Sequence, residues 1–309
     1  MRDHADLYQL RPGAEEAAGR AMLVVLDGFV DAGSVGRQAA EALFAAFEAE
    51  EIAAFDVDRL LDYRARRPVL TFVENAYTEY SPPKLSLYRM HDTEGTPFLL
   101  LYGLEPDHEW EAFAEAVRDL VEHLSIDLTV GVQGIPMAVP HTRPTTATAH
   151  ATRAELVSGH TPWIGRVNVP ASAAALLEFR LGESGHDALG YAVHVPSYLA
   201  QSEYPRAAIA ALEFVSGATG LALPGGRLEE AARETDGEIE QQVQASEEVQ
   251  RVVANLEQQY DDFMAARESA GESGAERPLF GEDGTDLPTA DELGAELERF
   301  LADRERGEG

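Results

Sequence analysis

Between residues 20 and 224 the chain alternates short apolar runs with amphipathic stretches, and this alternation restricts the fold more than any other feature. "MLVVLD" (22–27) leads through "GFVDAGSVG" into an apolar-periodic stretch that reads as a helix to about Glu50. A second strand follows near 52–57 and a third, "PVLTFV", at 68–73. "HEWEAFAEAVRDLVEHL" (108–124) spaces its apolar residues three and four apart, the signature of an amphipathic helix. "DLTVGVQG" and "ALGYAVHVP" are continuous apolar runs, the pattern of strands buried on both faces. "TATAHAT" reads as a lesser strand, and 171–183 and 205–220 read as helices, the second closed by Gly217 or Gly220. Strand and helix in alternation predict an α/β fold: a three-layer core with a mixed, mainly parallel sheet between helices.

Two segments depart from the alternation. Residues 84–102, "KLSLYRMHDTEGTPFLLLYG" with its neighbours, read as an inserted β-hairpin turning at "DTEG", where Gly95 supplies a positive φ. Its apolar content exceeds what an isolated ribbon can bury, so it is expected to project and pack on another subunit, unless "PFLLLYG" is a core strand. After "LPGG" (223–226) the pattern becomes helical, with one long helix over "IEQQVQASEEVQRVVANLEQQYDDFMAA". Residues 268–289 read as a flexible loop, and "TADELGAELERFLADRERG" as a last helix with a capping box at Thr289 and Glu292. The organisation is an N-terminal extension (1–19), an α/β core (20–224) and an acidic helical C-terminal region (225–309).

Charge narrows the function. Asp and Glu number 55 against 24 Lys and Arg, a net charge of −31, which repels phosphate backbones and argues against nucleic-acid binding. Lys84 is the single lysine, so a Schiff-base or phosphate-gripping lysine has one candidate, set at the start of a strand. The arginine bias fits either a GC-rich genome or a salt-adapted proteome. No apolar run approaches the length of a membrane helix and the N-terminus lacks a signal-peptide core, so a cytoplasmic protein is expected. Cysteine is absent, no H-E-x-x-H occurs, and no two histidines fall three or four apart on a helix; no metal or cofactor is expected.

The polar residues of interest follow the strands. "GFVDAGSVG" stands where phosphate loops stand, but it lacks the Walker lysine and its glycines miss the dinucleotide spacing. "AGSVG" departs from the nucleophile elbow at Ala32. The favoured reading makes Asp31 a helix N-cap, with Gly28 and Gly33 allowing close backbone approach. "GIPMAVPHTRP" carries Gly134, His141 and Arg143: either a base and an anion grip, or a proline-fixed loop tying down carbonyls. His194 ends an apolar strand just before Pro196 and Tyr198. Gly28, Asp31, Gly33, Gly134, His141, Arg143 and His194 form the candidate crevice, since ligands of α/β sheets bind beyond the carboxyl ends of strands. Arg64, Arg66 and Arg67 could hold an anion, or pair with acidic neighbours.

"GFVDAG", "GIPMAVPHTRP", "GYAVHVPSYL", the helix before "TGLALP" and "LEQQYD" together resemble the bacterial, actinobacterial branch of the proteasome assembly chaperone 2 family, over roughly residues 20–265. The resemblance implies a core similar to purine nucleoside phosphorylases and other phosphorylase/hydrolase-like folds. It also implies a hairpin used in oligomerisation, giving a homotrimer, and a helical C-terminal lid over a ligand site. It favours the GC-rich explanation of the arginines and offers proteasome subunits as protein partners. Two readings stand: an assembly or scaffold protein acting as a homo-oligomer, and a small-ligand-binding protein or hydrolase/phosphorylase-like enzyme with its crevice under the lid.

Overall fold

The computed structural model describes residues 4–14, 20–160 and 166–272. The chain divides into two units, one of residues 1–160 and 170–263 and one of residues 161–169 and 264–309. Of the second unit, the described residues are 166–169, all exposed, and the end of the last helix. The helix expected from Thr289 lies outside the described residues.

The first unit is built on an eight-stranded mixed sheet. Its strands are β1 (Tyr8–Leu10), β2 (Ala21–Asp27), β3 (Glu50–Phe55), β6 (Leu85–His91), β7 (Pro97–Leu104), β8 (Leu128–Met137), β9 (Ala147–Ala151) and β10 (Ala188–Pro196), in spatial order β1-β3-β6-β7-β2-β8-β10-β9. β7, β2, β8 and β10 run parallel, and antiparallel strands close both sides. β4 (Val69–Val73) and β5 (Ala76–Ser81) pair with each other as a separate two-stranded ribbon.

Alternation along the central strands makes two cores. Leu23 and Val25 of β2 face one side, with α1 (Val35–Ala46) and α5 (Pro205–Thr219); Met22 and Val24 face the other, with α3 (Trp110–His123) and α4 (Ala173–Glu183). A two-residue period on a sheet covered on both faces requires this split. β10 is buried along its whole length, as its continuous apolar sequence demands. α3 presents Phe113, Val117 and Leu120 to the sheet at helical spacing. Each such fully buried side chain contributes about 1.5–3 kcal/mol. Gly220, with φ of 74°, closes α5 in the left-handed conformation.

The structure revises three sequence expectations. The hairpin over 84–102 forms, but it does not project: Leu85, Leu87, Leu99, Leu100 and Leu101 are buried and both strands lie inside the sheet. A run as apolar as "PFLLLYG" is what a strand covered on both faces needs. The projecting ribbon is β4–β5 instead. The long C-terminal helix is two: α6 (Arg227–Ala245) and α7 (Glu247–Glu272), broken at Ser246, whose backbone is extended. A serine followed by two glutamates is a helix start, and it outweighs the apolar period that runs through it. The N-terminal segment also joins the sheet, with Leu7 buried and β1 pairing with β3. The remaining short helix, α2, spans Val57–Leu60.

Candidate functional site

β2 and β7 are parallel neighbours, with Asp27 beside Leu104 at their carboxyl ends. β2 leads to α1 on one face and β7 to α3 on the other. Connections that diverge from adjacent parallel strands leave a crevice between them. It is filled here by a cleft of about 500 Å³, lined by residues 27–29, Arg66, residues 104–107, Trp110, Pro170 and Ala171.

Most polar groups in this cleft are already committed. Glu105, buried to 6% exposure, accepts from the amides of Phe29 (3.0 Å) and Ala173 (2.7 Å), so one carboxylate ties the β2–α1 loop to the start of α4. A Cβ on Gly28 would stand 2.0 Å from a Glu105 carboxylate oxygen, so that position requires glycine. Arg66 donates to Asp107 (2.8 Å) and to the Asp27 carbonyl (3.3 Å), while Asp107 also accepts from the Asp62 amide (2.8 Å). The arginine run therefore serves at Arg66 as an internal pair. The Trp110 indole N–H donates to the Pro106 carbonyl.

One strand further along, the β2/β8 junction is closed. The Asp31 carboxylate accepts from Gly36 (2.9 Å) and Arg37 (3.1 Å) at the start of α1, and from Gly134 (2.9 Å) on β8. Ser34, at φ 51°, holds the N-cap position itself. Burial pushes the Asp31 carboxyl above its usual range, against the pull of the three amides. Gly33 donates to the Ala200 carbonyl, and its own carbonyl receives Tyr204 N and Gln38 Nε2. A Cβ on Gly134 would stand 2.0 Å from the Ala32 carbonyl oxygen. The amides with which a phosphate loop would hold an anion are thus held by the protein's own carboxylate.

The remaining candidates lie elsewhere. His194 is 1% exposed, with its ring nitrogens each 2.9 Å from a threonine hydroxyl, Thr146 and Thr148. His141 contacts the Tyr198 hydroxyl through Nδ1 (2.6 Å) and through its amide (2.9 Å). Burial lowers the His141 pKa and raises that of Tyr198 to about 12. Arg143 forks onto Asp261 (2.8 and 2.7 Å) and reaches Glu257 (3.2 Å), and Thr142 donates to Glu257. The lone charge of the "PHTRP" loop grips α7, at the "LEQQYD" motif. Of the seven candidates, only Gly28 lines the cleft. Asp27, Phe29, Glu105, Asp107 and Trp110 were not read from the sequence as a site. The available signal was "LEPDHEW", polar residues at the end of an apolar strand, masked by its assignment to a projecting hairpin.

A model of the PAC2 family matches residues 25–243. The chain belongs to the PAC2 family. The PAC2 protein is similar to Mycobacterium tuberculosis Rv2714, of unknown function: 49% identity, TM-score 0.80, covering 84% of this chain and 93% of that one. It is similar to a Corynebacterium glutamicum protein of unknown function: 37% identity, TM-score 0.79, covering 84% and 98%. At 24% identity, with TM-score 0.70 and coverage of 75% and 99%, it shares the fold of Rv2125, a proteasome-assembly chaperone homologue of M. tuberculosis. No curated protein matches it. Among the described residues no helix is long and apolar enough to cross a membrane, and no cluster of His, Cys, Asp or Glu could hold a metal ion.

Proposed function

We propose that this PAC2 protein works by binding other protein chains, as an assembly factor or scaffold, and that it does so as a closed homo-oligomer, a trimer by family resemblance. One observation carries the reading. The β4–β5 ribbon exposes Val69 (68%), Phe72 (58%) and Tyr77 (70%), together with Leu70, Val73 and Tyr80, on both of its faces. Phe72 and Tyr77 pair across the strands, 5.1 Å between centroids, but have no core beneath them. A lone two-stranded ribbon is marginal in water, and a patch of this kind marks an interaction surface. Membership in the PAC2 family and the fold shared with a proteasome-assembly chaperone homologue support protein partners, with proteasome subunits first among them. The test adds the purified protein to separately purified proteasome α- and β-subunits and follows ring formation by native mass spectrometry. Faster assembly, or a stable complex with one subunit, is expected. Assembly kinetics and subunit masses unchanged by the protein would overturn the chaperone reading.

A further inference from the structure

We propose that the β2/β7 cleft binds an organic cation, a primary amine or guanidinium carried on an apolar or aromatic body, with Asp27 as its counter-ion. This goes beyond the assembly reading and does not depend on it. The cleft sits at the switch point of the sheet, where ligands of α/β folds bind, and its volume of about 500 Å³ is that of a small-molecule site. Its polar groups decide the class. Glu105 is satisfied by two amides, and Asp107 and Arg66 by each other and by backbone. The Asp27 carboxylate has no hydrogen bond or ion pair among the described residues. Three carboxylates against one guanidinium leave the cleft negative, so an anion is repelled. The first-turn amides of α1 that would otherwise welcome an anion are turned onto Asp31.

The walls supply the other half of the argument. Phe29 is 63% exposed, an aromatic ring in a strand-to-helix loop with no packing role that explains it. With its N–H spent on the Pro106 carbonyl, Trp110 offers the cleft an apolar ring. Aromatic faces beside an unpaired carboxylate attract a cation twice, by the ring quadrupole and by charge.

Calorimetric titration of the full chain tests this with three probes of one shape: phenethylamine, 2-phenylethanol and phenylacetate. Phenethylamine should bind, the alcohol more weakly, and the acid not at all. Asp27→Asn should weaken amine binding about tenfold or more, the loss expected for one charge-assisted hydrogen bond. Phe29→Ala should weaken it too, and since both side chains are exposed, thermal unfolding of both variants should match the parent. Amine and alcohol binding equally would show that Asp27 is no counter-ion and overturn the proposal. Tighter binding of the acid would overturn it in favour of an anion site at Arg66. Failure of phenethylamine to bind at millimolar concentration would also overturn it.

Discussion

The Asp31 carboxylate joins the start of α1 to β8 through three backbone amides. Asp31→Asn keeps one acceptor oxygen but replaces the other with a donor. Either the Arg37 amide or the pair at Gly36 and Gly134 then loses its partner. The expected loss is about 1–3 kcal/mol of unfolding free energy, read by urea denaturation. Gly134→Ala should cost at least as much, because the added Cβ displaces the Ala32 backbone. His141 gives a pH-dependent prediction. Its pKa is lowered by burial from the ordinary 6.5, so the folded state binds fewer protons than the unfolded in the window just below that value. Stability therefore rises with pH through this window and is lost as pH falls. In His141→Gln the urea midpoint should rise less between about pH 5 and 7. The local half of the Asp31 arrangement was legible in "DAGSVG", because a cap and its helix are neighbours in sequence. Its bond to Gly134 was not, because the two residues lie 103 positions apart and only the β2–β8 pairing brings them together. His194 illustrates the same limit: a histidine at a strand end looks like a ligand group until β9 and the residue before it supply two threonines.

Among the elements, the parallel strands and their helices were readable because periodicity reports burial directly. What periodicity cannot report is which strand lies beside which. "PFLLLYG" and "PVLTFV" are both apolar runs, yet one fills the centre of the sheet and the other stands in solvent. Sequence reasoning gave the projecting role to the more apolar of the two, and the sheet took it for its core. β5, "AYTEYS", escaped notice because its turn uses Glu74 at φ 52° where a glycine signal was expected. The C-terminal helices make a prediction of their own. Arg143 holds α7 through Asp261 and Glu257, and its guanidinium keeps the Asp261 carboxyl below the usual range. That contribution is present above the ordinary carboxylate pKa and fades as pH drops through the lowered one. Arg143→Gln should speed hydrogen exchange over residues 250–263 at neutral pH while the amides of β2, β8 and β10 keep their protection. Unchanged exchange in α7 would mean that the helix is held by its apolar residues, Val253 and Tyr260, alone.

For the whole molecule, the net charge of −31 and the PAC2 fold point away from nucleic acid and toward protein partners. The family resemblance was visible in five short motifs, and the structure gives several of them a physical task. "GFVDAG" closes onto β8, "PHTRP" grips "LEQQYD", and the histidine of "GYAVHVP" is bonded to β9. Each of these tasks is a bond that holds the fold together, which is why motif spacing pointed to a fold more firmly than to an activity. The apolar surface of β4–β5 remains the feature that a solitary chain does not explain, and the account rests on its being covered by a second copy. The most direct test is the solution mass, by light scattering, of the parent chain and of Phe72→Ser/Tyr77→Ser, whose side chains lie outside the core, so that circular dichroism should show the parent's fold. The account predicts about three times 33.5 kDa for the parent and a single 33.5 kDa chain for the variant. A monomeric parent, or a variant that keeps the parent's mass, would contradict it.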